Sequence, residues 1–427
     1  MNRREYFQHF MVLFTGTAAA QVANLLSYPF LARLYSPHDF GTFALFLAAS
    51  AIPGAIACAR FDLAVPTAPR AGRFAILWLC IVIAAGMGVA SAIGGAVYWQ
   101  FFATNPSMFM PLLLGLCVFL TGFCAAGSLY LMRHDRYRLS SFSMVVRTAV
   151  AVVIQIALAF AWPNAFSLIL GFTLGITAQA VVLGTSIFLH VSPGRPRARP
   201  ILAMARRFRR QVMVDIPSTL IAAVSLNLLT FILSNLYGQA VVGLYAIGNR
   251  IAVTPLQLFN DALSQVFFQK AARAQEEKGH FWNEMKFNLL TSGLLSLAVL
   301  IGIWIFARPF ITFYLGSKWE AAADMLLILA PMLAVRSLCM SVATTVFVLR
   351  RPQWLLGHNV AGVLVLGLVY LIGLARELTV DQFLILASAL LLVEYAAFAA
   401  LLIWAARARA LGAVPSLNGR RRRHHGR

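Results

Sequence analysis

Apolar residues run along this chain in long blocks, broken by short charged or Pro/Gly-rich stretches. A helix needs about 20 such residues to cross the hydrocarbon core of a bilayer. The pattern predicts twelve spans, at 7–32, 40–59, 74–101, 108–132, 140–162, 165–190, 212–236, 240–268, 285–315, 322–348, 354–374 and 381–405. Several exceed one crossing, which predicts tilt or extension beyond the lipid. The N-terminal MNRREYF runs into the first span without a small-residue cleavage site, so that span is expected to be retained.

Basic residues give the spans a direction, because Lys and Arg collect in cytoplasmic loops. With the N-terminus inside, inner segments hold Arg3 and Arg4, then Arg60, Arg70 and Arg73, then Arg133, Arg136 and Arg138. The connection after the sixth span adds Arg195, Arg197, Arg199, Arg206, Arg207, Arg209 and Arg210. Lys270, Arg273, Lys278, Arg350, Arg351 and the arginines of the tail continue the series. Outer connections and the span ends beside them hold only Arg33, Arg308, Lys318 and Arg376. One missed helix would invert every later loop, so the bias supports twelve spans with both termini cytoplasmic.

The expected organisation is a six-helix bundle over 1–192, a basic linker over 193–211, a second bundle over 212–406 and a basic, disordered tail over 407–427. In the linker, Pro and Gly break the helix and MARRFRR then resumes a basic amphipathic run, suited either to anionic headgroups or to solvent. The two bundles carry a repeat. Leu31, Leu34, Tyr35, Gly41 and Ala44 recur 202 residues later as Leu233, Leu236, Tyr237, Gly243 and Ala246. Each copy joins the first two helices of its half, with a Tyr expected as an interfacial anchor and a Gly where the next helix starts close to a neighbour. Six spans per half give both halves one orientation. Parallel repeats of this kind are typical of alternating-access transporters.

Composition agrees: 427 residues, 60% hydrophobic and 11% charged, far from a soluble domain. Lys+Arg 35 against Asp+Glu 14 would suggest nucleic acid in a soluble chain. Here the orientation rule explains it, and no nucleic-acid partner is expected. Cys58, Cys80, Cys117, Cys124 and Cys339 lie in apolar stretches and read as small core residues. No metal or cofactor spacing occurs.

Three arginines fall deep inside predicted spans, away from their ends: Arg147, Arg250 and Arg336. Each costs at least about 2.5–3.5 kcal/mol near a helix centre, so each needs a wet surface or a countercharge. On the eighth span Arg250, Thr254, Gln257, Asp261 and Ser264 share one helix face, flanked by Asn249, Asn260 and Gln265, and Pro255 should bend it. That stripe reads as the wall of a water-filled passage. The first span carries Gln21, Asn24 and Tyr28 on a similar face, and the tenth joins Arg336 to Ser337, Ser341 and Thr344. The acids Asp62, Asp215, Asp261 and Glu394 are candidates for ion coupling or for neutralising the arginines. Both readings of the arginines stay open: structural pairs with these acids, or a cavity for an anion, since guanidinium suits phosphate.

Three blocks, LFTGTAAAQVANLLSYPFLARLYSPHDFGTFALF, ARFDLAVPTA and SNLYGQAVVGLYAIGNRI with SQVFFQKAARAQEEKG, resemble the O-antigen (Wzx-type) polysaccharide flippases of the MATE-like exporter superfamily. The resemblance implies two six-helix bundles in a V that opens to either face in turn. It also implies transfer of a polyprenyl-diphosphate-linked oligosaccharide to the outer leaflet of a bacterial inner membrane. A polysaccharide polymerase and chain-length machinery are candidate partners, as are anionic lipids. By motif position Arg33, Arg60, Asp62, Asn249 and Arg250 match the family's charged and polar positions. Lipid II flippases usually add two helices, so the basic tail after the twelfth span points away from that branch. The rivals are an ion-coupled multidrug exporter, which would want an acidic, aromatic pocket, and a membrane polymerase or ligase. The enzyme reading lacks a large outer loop and an acidic catalytic cluster.

Overall fold

The computed structural model describes residues 3–66, 68, 72–102, 109–191 and 198–411. Every predicted span is a helix there. The first half holds α1 (Arg3–Leu34), α2 (Pro37–Ala55), α3 (Arg73–Phe102), α4 (Phe109–Arg133), α5 (Tyr137–Ala161) and α6 (Ala165–Val191). Then come α7 (Ala198–Tyr237), α8 (Gln239–Lys278), α9 (Trp282–Leu315), α10 (Glu320–Val342), the single turn α11 (Thr345–Val348), α12 (Gln353–Arg376) and α13 (Val380–Ala410). Nine helices among the described residues are long and apolar enough to cross a membrane, which makes this a multi-pass membrane protein. α1, α2 and α8 fall outside that set. For α8 the cause is the polar stripe itself, since Arg250, Gln257, Asn260, Asp261 and Gln265 interrupt its middle.

Two helices are longer than the apolar pattern predicts. α8 continues ten residues past 268 because AARAQEEK is made of good helix formers and closes with Arg273 on Glu277 at 2.7 Å. α7 begins at Ala198, so the MARRFRR run forms its first turns instead of a separate linker. Met204, Ala205 and Phe208 pack on the core of the first unit, while Arg206, Arg207 and Arg209 are exposed. Residues 192–197, in the predicted linker, and 412–427, in the predicted tail, lie outside the described residues.

The chain forms two compact units, Met1–Gly243 and Leu244–Arg427. The division therefore follows α7 instead of preceding it, because α7 packs along α2 and α3. In the first unit α3 pairs with α4 and α5 with α6, around a core that includes Phe46, Ile76, Cys80, Cys117, Leu131 and Leu183. In the second, α10 packs on α9 and α13, and α13 on α12, around Phe267, Phe281, Met285, Cys339 and Leu402. All five cysteines are buried and free, as small apolar residues.

The repeat is visible in the backbone. Gly41 on α2 and Gly243 on α8, both in the first unit, lie against each other. A Cβ on Gly41 would overlap the carbonyl of Gln239, and one on Gly243 the carbonyl of Pro37, which is the matching position of the other copy. Tyr35 is not an interfacial anchor. It is 1% exposed, and its hydroxyl donates to the Gln155 carbonyl at 2.7 Å, locking the α1–α2 turn to α5. Ser36 and Asp39 form a capping box at the start of α2, and Asp39 also accepts from the Ala165 amide at 3.0 Å at the start of α6.

A second correspondence escapes the sequence. The Arg136 amide reaches back to the Leu131 carbonyl at 3.0 Å, and the Arg351 amide to the Val346 carbonyl at 2.7 Å. Each is preceded by a left-handed residue, Asp135 at φ 59 and Arg350 at φ 55. These are the same helix-ending turn, and it recurs in the second unit where Leu378 follows left-handed Glu377, at φ 48, and its amide reaches the Gly373 carbonyl at 3.4 Å.

Candidate translocation site

In the second unit the α8 stripe divides in two. Arg250, Gln257 and Asp261 are exposed on the surface of the unit, with Thr254 and Asn249 half-buried beside them. Charged side chains at the depth of a span rarely face hydrocarbon. The rest of the stripe turns inward. Asn260 accepts from the Ser337 hydroxyl at 3.1 Å, and the Ser264 hydroxyl donates to the Met340 carbonyl at 3.3 Å. Asn288 on α9 donates to the Ser341 carbonyl at 3.1 Å. Ser264, Ser337 and Ser341, expected along a passage, thus serve as polar glue between α8, α9 and α10.

Arg336 is half-buried on α10, and its charge acts on Tyr245 of α8, Tyr395 of α13 and Cys339 of α10. Glu394, considered above as a countercharge for the arginines, instead pairs with His358 at 2.5 Å. Arg308–Asp324 and Lys278–Glu284 lie at the two ends of α9.

In the first unit Arg147 is half-buried at the middle of α5. Its guanidinium lies 5.2 Å from the centre of the Phe172 ring and donates to Gln179 at 3.5 Å, both on α6. Its charge also reaches Cys117 and Cys124 on α4. An aromatic face and an amide oxygen both hold this guanidinium. Gln21 and Asn24 are half-buried on α1, and Asp215 is half-buried on α7.

The remaining family-matched charges flank α2. Arg33 is exposed before its N-terminal end, and Arg60 follows its C-terminal end. The 19-residue helix between them is roughly 28 Å long, so one small ligand cannot touch both. Arg60 sits in a strained elbow: Ala59 and Arg60 are left-handed at φ 45 and 61, and Asp62 is buried in the 3-10 turn that follows. Arg133 and Arg73 brace this elbow, donating to the Pro66 carbonyl at 3.0 Å and the Ala68 carbonyl at 3.3 Å. The site residues thus fall at three levels: Arg33 at one end of α2, Arg147 at the middle of α5, and Arg60 with Asp62 beyond the other end of α2. Among the described residues no three His, Cys, Asp or Glu side chains gather as a metal site. His358, Phe172, Gln179, Tyr245 and Tyr395 escaped the sequence reading, because a lone polar or aromatic residue in an apolar helix shows nothing of its partner.

Residues 30–324 match the model of a family described as polysaccharide biosynthesis proteins. The chain belongs to that family. Among curated proteins it is similar to lipopolysaccharide biosynthesis protein WzxC of Escherichia coli strain K12, with 24% identity over 176 residues. That match covers 41% of this chain and only 35% of WzxC. Among solved structures it is similar to the lipid II flippase MurJ in an inward closed conformation, with TM-score 0.70 and 12% identity over 92% of this chain and 87% of that one. It is also similar to a MATE transporter in complex with MaL6, with TM-score 0.63 and 12% identity over 94% and 95% of the two chains. A MOP superfamily transporter from Pyrococcus furiosus, described as having a binding pocket of reverse polarity, gives TM-score 0.60 and 13% identity over 94% and 95%. These solved structures share the helical fold of this chain.

Proposed function

We propose that this protein is a flippase and not an enzyme. It moves a polyprenyl-diphosphate-linked oligosaccharide from the cytoplasmic to the periplasmic leaflet of a bacterial inner membrane by alternating access, with both termini cytoplasmic. The observation that carries the reading is Arg250, a guanidinium exposed at span depth beside Asn249 and Gln257, in a chain of a polysaccharide biosynthesis family. The names of WzxC and MurJ point the same way.

The physics follows from the cargo. A diphosphate-linked sugar cannot enter hydrocarbon, because its lost hydration is not replaced there. Arg250, Arg336 and Arg147 offer charge-assisted hydrogen bonds to the diphosphate, while Gln21, Asn24, Asn249 and Gln257 offer partners for sugar hydroxyls. Arg33 and Arg60, at opposite ends of α2, would meet the headgroup at different stages of the passage. The exposed basic face of α7 suits anionic lipid headgroups. A polymerase and chain-length machinery would receive the product. The multidrug-exporter reading shares the fold, but a guanidinium at Arg250 with Asn249 and Gln257 beside it favours an anionic cargo.

The direct cellular test is deletion. Cells lacking the protein should lose surface glycan and accumulate the lipid-linked oligosaccharide. Unchanged surface glycan would contradict the reading.

A further inference from the structure

The end of the second unit where α13 finishes gathers arginines. α12 and α13 are packed neighbours joined by residues 377–379, so the start of α12 lies beside the end of α13. Arg350 and Arg351 precede α12, and Arg407 and Arg409 close α13. The turn α11 touches α13 as well, and the Arg351 amide bonds back to it at the Val346 carbonyl, 2.7 Å away. Val346, Leu349, Leu402, Ala405 and Ala406 share one buried core there, with Trp354 packed against it. Apolar packing thus brings Arg351 and Arg409 together, and the charge of Arg351 acts on Arg409.

Nothing in the chain answers this pair. Arg409 is half-buried, and its Nη1 is buried with no hydrogen-bond partner among the described residues. A buried donor on a charged group is costly to leave unmade. The acids near this end are engaged or exposed: Glu277 meets Arg273, Glu284 meets Lys278, Glu394 meets His358, and Glu276 faces outward on α8. Residues 412–427 contain no Asp or Glu. Helix α12 starts behind Pro352 without a side-chain cap, so its first amides add partial positive charge beside Arg351. The Arg351 guanidinium lies 5.6 Å from the centre of the Trp354 ring, and Phe347 and Trp404 are 53% and 64% exposed. Arginine and tryptophan at the end of an apolar span suit the headgroup layer of a bilayer.

We propose that Arg351 and Arg409 hold the phosphate of an anionic glycerophospholipid at the start of α12. The phosphate gives Arg409 Nη1 the acceptor it lacks and offsets the repulsion between the two guanidiniums. The acyl chains then follow the exposed apolar side chains of Phe347 and Trp404 into the hydrocarbon. Neither arginine is among those assigned to the cargo, so the bound lipid is distinct from it.

The test follows the unfolding temperature of the full chain in nonionic-detergent micelles as phosphatidylglycerol is added, which reads its affinity. The wild type should be stabilised, and phosphatidylcholine, neutral overall, should stabilise it much less. Arg351→Gln and Arg409→Gln should each bind phosphatidylglycerol roughly tenfold more weakly. Arg376→Gln, at the far end of α12, removes the same charge and should bind as the wild type does. Elution as a single monodisperse species checks folding, and if one pair variant aggregates the other carries the test. Wild-type affinity in the pair variants overturns the proposal, and any change in their stability without lipid then marks a structural role. Equal stabilisation by inorganic phosphate at the same concentration overturns the assignment to a lipid.

Discussion

Gly41 and Gly243 occupy matching places in the sequence repeat and touch each other. A Cβ on Gly41 would sit 3.0 Å from the Gly243 amide nitrogen, and one on Gly243 2.9 Å from the Gly41 amide nitrogen. Each would also overlap a backbone carbonyl, at Gln239 and Pro37 respectively. Backbone cannot step aside as a flexible side chain does. Gly41→Ala and Gly243→Ala should each destabilise by about 1–3 kcal/mol. The double variant should lose less than the sum, since both open one crossing. Gly302→Ala on α9, with nothing within 4 Å, is the control and should be neutral or stabilising. Thermal unfolding in detergent reads all four.

Tyr35 links the α1–α2 turn to α5 through a buried hydrogen bond. Tyr35→Phe should lower stability by about 0.5–1.5 kcal/mol. Burial, then the nearby Asp39 carboxylate, push the phenol up to about 12. A group raised in the folded state contributes fully below its unfolded value of 10.0 and is lost as pH rises to about 12. The unfolding temperature should therefore fall over that alkaline window, and fall less in Tyr35→Phe.

Asn288 donates to Ser341 across the α9–α10 contact. Asn288→Ala should destabilise by about 0.6–2 kcal/mol, with cargo affinity unchanged. A fall in affinity without a fall in unfolding temperature would return these serines and asparagines to the passage wall.

Arg350 ends its helix in the left-handed region, where a Cβ costs about 1–2 kcal/mol. Arg350→Gly should raise stability by about 1 kcal/mol, seen as a higher unfolding temperature. No change would mean that Arg350 gains an equal contribution from its side chain.

Much of this fold is legible in the chain because lipid imposes a simple rule. Every backbone group must be satisfied within its own helix, so apolar block length alone marks the spans. Gly41 and Gly243 were readable for a similar reason, as a close approach needs a residue without Cβ. The partners were not readable. Whether Ser264 faces water or Met340, and whether Glu394 meets an arginine or His358, depends on helix rotation and neighbour identity. Periodicity gives a face, not what lies opposite. Tyr35 shows the same limit: an aromatic at a predicted interface turned out to be a core residue.

The central claim is that the embedded arginines carry an anionic lipid-linked sugar across the bilayer. Its most direct measurement uses proteoliposomes loaded with a fluorescent polyprenyl-diphosphate oligosaccharide and a membrane-impermeant quencher. Wild-type protein should bring label from the inner leaflet to the quencher, and Arg250→Ala should reduce that rate to the level of protein-free liposomes. Wild-type transfer no faster than in protein-free liposomes, or equal transfer by Arg250→Ala, would contradict it.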